Sequence, residues 1–136
     1  MSDAEAFFDT NVILYLFSAE LAKANTTEEL LARGGQISVQ VLNELANVGR
    51  RKLGLTWPEI TDITTTIQSL CSVAQVTVET HAKGLQVAER YGLSVYDGMI
   101  VAAALISGCP VLYTEDMQDG QLIEGQLTLR NPFVSR

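Results

Sequence analysis

The chain of 136 residues is 47% hydrophobic and 18% charged, which predicts a folded globular protein and excludes a disordered one. This length fits one domain with a buried core, so we expect a single domain across residues 1–136. The formal net charge of −7 is unfavourable for a protein that binds nucleic acid unaided, so divalent cations or a basic partner would have to offset it.

Short β-like runs alternate with helical runs through the first half of the chain. "AFFD" (residues 6–9) is an apolar run cut off by an acid, and "NVILYLF" after it predicts a helix or turn leading away. In "TTEELLARGG", Thr26 and Glu29 have the spacing of a capping box, and the two glycines end the helix. "ISVQVLNELANVGRRK" begins as a strand and turns helical, with apolar residues between Val41 and Val48 on one face.

The second half of the chain continues this alternation. In "TWPEITDITTTIQSL", Thr56, Pro58 and Glu59 mark the start of a helix. "VAQVTV" predicts a strand, and "THAKGLQVAERYG" predicts a helix that ends at Gly92. "SVYDGMIVAAAL" predicts a helix with its stop at Gly108. "PVLYT" then predicts a buried strand, and "LTLRNPF" a last strand followed by a turn.

This alternation predicts an α/β fold in which a parallel or mostly parallel sheet carries helices on both faces. Such folds bind ligands in the crevice at the carboxyl ends of the strands. Asp9 closes the first strand, and "TED" at residues 114–116 closes the strand after "SVYDGMIVAAAL". We therefore expect these acids at the same, functional edge of the sheet.

Each candidate acid also has an ordinary structural interpretation. Asp97 stands at the third helical position after the potential cap Ser94, where a carboxylate complements the helix dipole. Asp9 suits a turn, Glu44 a solvated helix position and Asp116 an acidic surface loop. Taken singly, the structural interpretation is favoured for Asp97 and Glu44.

Considered together, the four acids indicate metal chemistry. Clustered carboxylates repel one another and raise each other's pKa unless a cation holds them. With no cysteine or useful histidine nearby, an all-oxygen set suits hard cations such as Mg²⁺ and Mn²⁺. The reaction that such a site supports best is phosphodiester hydrolysis, in which the metal activates a water and stabilises the leaving oxygen.

Five motifs, in this order, carry a family resemblance: "FFDTNVILYLF", "VLNELANV", "SVYDGMIVAAAL", "LYTEDMQDGQ" and "LTLRNPF". From Phe7 to Phe133 the chain resembles the PIN-domain ribonucleases, and most closely the VapC-type toxins of bacterial toxin–antitoxin pairs. The resemblance implies a PIN-like (Rossmann-like) α/β/α sandwich, dependence on Mg²⁺ or Mn²⁺, and endonucleolytic cleavage of RNA. It also implies a homodimer and a cognate antitoxin whose tail wraps near the acidic crevice.

The resemblance assigns roles to individual residues. The family's four catalytic acids, which are its metal ligands, match Asp9, Glu44, Asp97 and Asp116. Asn11 matches the polar residue that supports the first aspartate, and Thr114 matches the small hydroxyl residue near the last acid. Asp119 could replace or assist Asp116, because acids in this last motif vary in position.

Arg50, Arg51 and Lys52 form the only cationic cluster in the sequence. They would contact RNA phosphates beside the acids, or they would only place positive charge at a helix C-terminus, and the sequence favours neither. We expect His81 at the surface, and we expect Trp57 to be a packing anchor at a helix start rather than a base-stacking platform.

The sequence predicts a cytoplasmic protein. No apolar stretch approaches the roughly 20 residues of a membrane-spanning helix. "MSDAEAFFDT" has acids where a signal peptide would have basic residues. Cys71 and Cys109 are too few for a disulfide scaffold, and their apolar surroundings predict buried, reduced thiols.

Three other functions were considered. A haloacid-dehalogenase-like phosphatase needs a second aspartate two positions after its nucleophile, where this chain has Asn11. A phospho-receiver domain is disfavoured because Lys83 is far from the last strand. An RNA- or protein-binding module of PIN fold without its own nuclease activity stays open, and metal dependence would discriminate it from a nuclease.

Overall fold

The computed structural model describes residues 5–134. Residues 1–4, which belong to the segment interpreted above as lacking a signal peptide, lie outside this range. The strands are β1 (Phe7–Phe8), β2 (Gln36–Ser38), β3 (Ser72–Ala74), β4 (Val111–Tyr113), β5 (Leu122–Ile123) and β6 (Leu127–Arg130). The helices are α1 (Thr10–Leu14), α2 (Leu21–Leu31), α3 (Val39–Arg51), α4 (Trp57–Leu70), α5 (Val78–Tyr91) and α6 (Val95–Ile106), and the 3₁₀ turn Tyr15–Phe17 follows α1.

The strands form one mixed sheet in the order β3-β2-β1-β4-β6-β5. All neighbouring strands are parallel except β5, which pairs antiparallel with β6. At the centre, Phe7 and Phe8 of β1 are in register with Leu112 and Tyr113 of β4. The predicted mostly parallel sheet is confirmed.

The sheet is covered on both faces. Phe7 and Phe8 are adjacent in β1, so their side chains point to opposite faces of the sheet, and both are fully buried. Leu112 of β4 is also fully buried, as is Leu129 of β6. This burial confirms the predicted α/β/α sandwich.

Helices α5 and α6 pack closely through two glycines. A Cβ atom on Gly84 would lie 2.5 Å from the Met99 sulfur, and one on Gly98 would lie 2.6 Å from the Gly84 carbonyl oxygen. A side chain at Gly98 would therefore collide with the backbone of α5, and one at Gly84 would have to displace the Met99 side chain of α6. This contact fixes the first turn of α6, where Asp97 lies.

Most predicted helix ends are confirmed. Thr56 and Glu59 form the predicted capping box of α4, Gly92 ends α5 in the left-handed conformation, and Ser94 caps α6. Among residues 5–134, no helix has the length and apolarity that crossing a membrane requires.

The capping box predicted at Thr26 and Glu29 is wrong. Helix α2 begins earlier, at Leu21, and Glu20 at its N-cap makes no side-chain capping hydrogen bond. Thr26 lies inside the helix, where its hydroxyl donates to the Ala22 carbonyl oxygen at 3.0 Å. The end of this helix before the two glycines agrees with the prediction.

Two strand predictions need correction. The strand predicted over "VAQVTV" is shorter, since β3 ends at Ala74 and Thr77 is already the cap of α5. The antiparallel strand β5 was not predicted at all. The turn that joins it to β6 runs through Glu124 and Gly125, which both have positive φ angles, 51° and 67°.

Candidate active site

Four acids from four separate segments line one cavity of about 590 Å³. These acids are Asp9, Glu44, Asp97 and Asp116. Asp9 directly follows β1, and Asp116 is the third residue after β4, so both lie at strand ends as predicted. The cavity therefore lies at the carboxyl end of the two central strands, between the N-terminal parts of α3 and α6. Within residues 5–134, no lysine or arginine lines this cavity.

Asp9 is buried and tightly held. It caps α1 by accepting a hydrogen bond from the Thr10 backbone N–H at 2.7 Å. Its other carboxylate oxygen accepts from the Thr114 hydroxyl at 2.9 Å and from the Asn11 side-chain amide at 3.4 Å. The two residues expected to support Asp9 are thus its hydrogen-bond partners.

The environment of Asp9 disfavours its charged form. Burial raises the pKa of its carboxyl group from 3.8 to about 6. The hydrogen bonds from Thr114 and Thr10 oppose this rise, and the negative charges of Asp97 and Glu44 add to it. Among residues 5–134, no neighbouring cation lowers the pKa of Asp9, so no positive charge there compensates for its burial.

Glu44 projects from α3 into the cavity and has two side-chain partners. The Thr10 hydroxyl donates to one of its carboxylate oxygens, and the Gln40 amide donates to the other at 3.1 Å. Gln40 also donates to the Tyr96 carbonyl oxygen at 3.2 Å, which connects α3 with the start of α6. Neither Thr10 nor Gln40 was predicted to be part of the site, although the spacing of four between Gln40 and Glu44 on one helix was a usable signal.

Asp97 stands at the third position of α6, and the helix cap is made by Ser94. The Ser94 hydroxyl oxygen accepts from the Asp97 backbone N–H at 3.1 Å. Burial raises the pKa of the Asp97 carboxyl group, as do the charges of Asp116 and Glu44, against a hydrogen bond from Ser94. The Asp97 carboxylate is thus half-buried beside other acids, an environment that opposes the ionised form which the helix dipole favours.

The structure distinguishes the two candidates for the last acid. Asp116 lines the cavity, and its backbone N–H donates to the Thr114 hydroxyl at 3.3 Å. Asp119 is not part of the lining, and its carboxylate accepts from the Asn131 backbone N–H at 2.8 Å. The geometry therefore groups Asp116, and not Asp119, with the other three acids.

A second polar cluster fixes the loop that carries Thr114 and Asp116. Between these two residues, Glu115 accepts hydrogen bonds from Lys23 and from the Tyr15 hydroxyl, both at 2.6 Å. Burial works against ionised Glu115, but Lys23 and Tyr15 hold its pKa below the ordinary value. The sequence gives no signal for this cluster, because 92 residues separate Lys23 from Glu115.

The predicted cationic cluster is split. Arg50 and Arg51 line a cavity of about 540 Å³ beside the acidic one, together with Trp57. Lys52 lines a different cavity, which Leu53 shares. The structure thus divides the cluster between two cavities that both adjoin the acidic one, since Asn47 also lines the acidic cavity, as do Asn11, Leu14 and Val48 of the Lys52 cavity.

Trp57 does not pack as an anchor, so that expectation is wrong. Its side chain is 63% exposed, and the Arg50 guanidinium lies 4.5 Å from the centre of its ring system. His81 is exposed, as predicted. Cys71 and Cys109 are buried free thiols, and burial raises the pKa of both to about 11, as expected for inert cysteines.

The chemical type of the four acidic side chains suits a hard divalent cation. All four acidic side chains offer oxygen, the ligand that Mg²⁺ and Mn²⁺ prefer. Within residues 5–134, however, no three acidic, histidine or cysteine side chains are placed to hold one ion as they stand. Glu44 is turned to Thr10 and Gln40, and four like charges repel one another where no cation holds them.

Comparisons with known proteins agree with this arrangement. A sequence model of the PIN domain family matches residues 6–118. A toxin–antitoxin complex from Klebsiella pneumoniae has a TM-score of 0.72 at 20% identity, with 95% of this chain and 98% of that chain covered.

Two further solved structures have the same fold. VapC20 of Mycobacterium tuberculosis, a toxin described as cleaving the sarcin-ricin loop, has a TM-score of 0.67 at 22% identity, with 82% of this chain and 90% of that chain covered. A DNA-bound VapBC from Salmonella typhimurium has a TM-score of 0.67 at 18% identity, with 95% and 98% covered. No curated protein sequence matches the chain significantly. At these identities, the likeness to solved structures shows the fold.

Proposed function

The chain belongs to the PIN domain family, and from this premise we propose that it is a Mg²⁺- or Mn²⁺-dependent endoribonuclease that acts as the toxin of a toxin–antitoxin pair. The observation that carries the proposal is the acidic cavity, which four carboxylates from distant parts of the chain line together and to which no lysine or arginine of the described residues contributes. Keeping these charges together is unfavourable unless a cation is bound there. One similar structure, VapC20 of Mycobacterium tuberculosis, is described as a toxin that cleaves the sarcin-ricin loop.

The chain's own residues have distinct tasks in this proposal. Asp9, Glu44, Asp97 and Asp116 would hold the ion or ions. The bound metal supplies an activated water and charge stabilisation for hydrolysis of a phosphodiester bond. Thr114 and Asn11 orient Asp9 by hydrogen bonds, and Gln40 orients Glu44. Such supporting partners commonly change metal affinity or activity by about 10- to 100-fold when they are removed.

Partners and location form part of the same proposal. We expect one domain over residues 1–136 that pairs as a homodimer in the cytoplasm and binds a cognate antitoxin. An antitoxin with basic residues would complement the net charge of −7. Toxin–antitoxin complexes are among the structures with a similar fold, and the two buried free thiols suit a reducing compartment.

One observation favours the alternative of a binding module without nuclease activity. The acids within residues 5–134 are not gathered around one point. In a binding module without nuclease activity, the acids would stay apart when Mn²⁺ is added. In a nuclease, the ion would draw the acids together and stabilise the fold.

The test is cleavage of structured RNA by the purified protein with Mn²⁺, with a chelator, and with the variant Asp97→Asn. We expect cleavage only with the metal, and a loss of roughly 100-fold or more in the variant. Asp62→Asn, which changes an exposed acid of α4, is the matched control and should cleave normally. Cleavage in chelator, or full activity of Asp97→Asn, would refute the proposal. Mn²⁺ binding with no cleavage of any RNA would favour the binding module.

A further inference from the structure

The cavity beside the acidic site has an exposed aromatic surface. Trp57 is the first residue of α4, and its side chain is 63% exposed although Arg50 covers part of it. Arg50 is itself oriented, because its guanidinium donates to the Leu55 carbonyl oxygen at 2.9 Å. The guanidinium and the indole thus form an ordered platform at the surface.

This platform is close to the acids. Asn47 lines both the acidic cavity and the cavity of Trp57, so the two are contiguous. Arg51 follows Glu44 by seven residues of α3, which is two turns along nearly the same helix face. At 1.5 Å per residue the two positions are about 10 Å apart along the helix axis, within a few nucleotides of one strand.

We propose that Trp57, Arg50 and Arg51 form a nucleotide subsite for single-stranded RNA, in which a base stacks on Trp57 and Arg51 binds an adjacent phosphate. The inference rests on the proposed ribonuclease function and adds where the substrate strand is held. Indole and guanidinium planes accept any base by stacking, and an arginine fork binds phosphate without reading sequence.

Charge favours RNA as the occupant of this subsite. Arg50 and Arg51 are adjacent cations on a chain with a net charge of −7, and both are exposed beside the tryptophan. A second copy of this chain would bring the same excess of negative charge but no regular array of phosphates. A nucleic-acid strand offers both a phosphate for Arg51 and a π-face for Trp57.

The sequence makes the experiment direct, because Trp57 is the only tryptophan in the chain. The metal-free protein is titrated, in chelator, with a ten-nucleotide single-stranded RNA of mixed sequence while Trp57 fluorescence is followed. We expect saturable quenching, since a stacked base contacts the indole. A fluorescently labelled copy of the same RNA, followed by anisotropy, gives the affinity of variants that lack the tryptophan.

The variants separate stacking from charge. Trp57→Leu should weaken binding roughly 5- to 150-fold, and Trp57→Phe should restore part of the loss. Arg51→Ala should reduce the slope of log affinity against log salt by about 0.7, the value for one phosphate contact on a single strand. The matched control is Arg90→Ala, because Arg90 also lies over an aromatic ring, that of Tyr91, on α5, and its removal should leave binding unchanged.

Several outcomes would overturn the subsite. RNA binding without quenching of Trp57 fluorescence would overturn it, as would equal RNA affinity of Trp57→Leu and the wild type. A fluorescence change that follows protein concentration in the absence of RNA would instead assign the surface to a second copy of the chain. A cleavage assay with Mn²⁺ keeps the two proposals distinct. If cleavage needs Mn²⁺ and Asp97 but Trp57→Leu leaves KM unchanged, the subsite fails and the nuclease stands. If RNA quenches Trp57 and no RNA is cleaved, the subsite stands and the nuclease fails.

Discussion

Replacing Asp9 by Asn should remove a measurable pH dependence of stability from the metal-free protein. The pKa of Asp9 is about 6 in the fold, against an ordinary value of 3.8. Because of this difference, the free energy of unfolding is about 3 kcal/mol higher when Asp9 is protonated than when it is ionised. Because the folded-state pKa is the higher one, the contribution is fully present below pH 3.8 and is lost as the pH rises through about 6.

The effect is best measured between pH 7 and pH 5. When the pH is lowered across this range, protonation of Asp9 alone should raise the free energy of unfolding by about 1.3 kcal/mol and the melting temperature by roughly 5 °C. The variant Asp9→Asn should lack this increment. At pH 7 it should be at least as stable as the wild type, because an asparagine still accepts the capping hydrogen bond from Thr10.

The assay is chemical unfolding in chelator at pH 7, 6 and 5, for the wild type, for Asp9→Asn and for the control Asp62→Asn. The control should follow the wild type, since Asp62 is an exposed acid on α4. Parallel pH profiles of wild type and Asp9→Asn would refute the reasoning. So would a variant that is less stable than the wild type at pH 7, because the charge on Asp9 would then be stabilising.

The remaining predictions concern the surroundings of the site. Asp97→Asn should abolish cleavage without loss of thermal stability. Ser94→Ala should instead lower the free energy of unfolding by about 1 kcal/mol and leave cleavage intact. The reverse pattern would make Asp97 a capping residue only. Glu115→Gln should raise the Mn²⁺ concentration needed for half-maximal cleavage by roughly 10-fold, because the loop that carries Asp116 loses its ion pair; an unchanged Mn²⁺ dependence would contradict this. Gly84→Ala should lower the free energy of unfolding by about 1 to 3 kcal/mol through a clash between α5 and α6, whereas Gln86→Ala, at an exposed position of α5, should cost little.

The sequence located site residues most directly where an acid follows a strand of the parallel sheet. Asp9 and Asp116 could be placed together because parallel strands end at a common edge of the sheet. Glu44 and Asp97 lie on helices, and no strand-end argument applies to them. They were assigned through the family resemblance, and the structure adds that both line the same cavity.

The errors have physical causes. Helix α2 starts at Leu21 without any side-chain cap, so the strongest local cap pattern, Thr26 with Glu29, was misleading. The hairpin between β5 and β6 turns on Glu124 with a positive φ angle, which glutamate rarely adopts, so its turn was invisible to residue preferences. Trp57 was expected to be a packing anchor because it stands beside Pro58 at a helix start, but burial is set by tertiary packing and not by the local sequence alone.

The order of the sheet has a consequence for the newly made chain. Its two central strands, β1 and β4, are paired through residues about 100 positions apart, Phe7 with Leu112. A ribosome that adds 5 to 20 residues per second takes roughly 5 to 20 s to make this stretch. During that interval Asp9 has neither Thr114 nor Asp116 beside it, so a chain stopped before β4 cannot contain the acidic cavity. The proposed activity would thus require a chain that has been translated past β4.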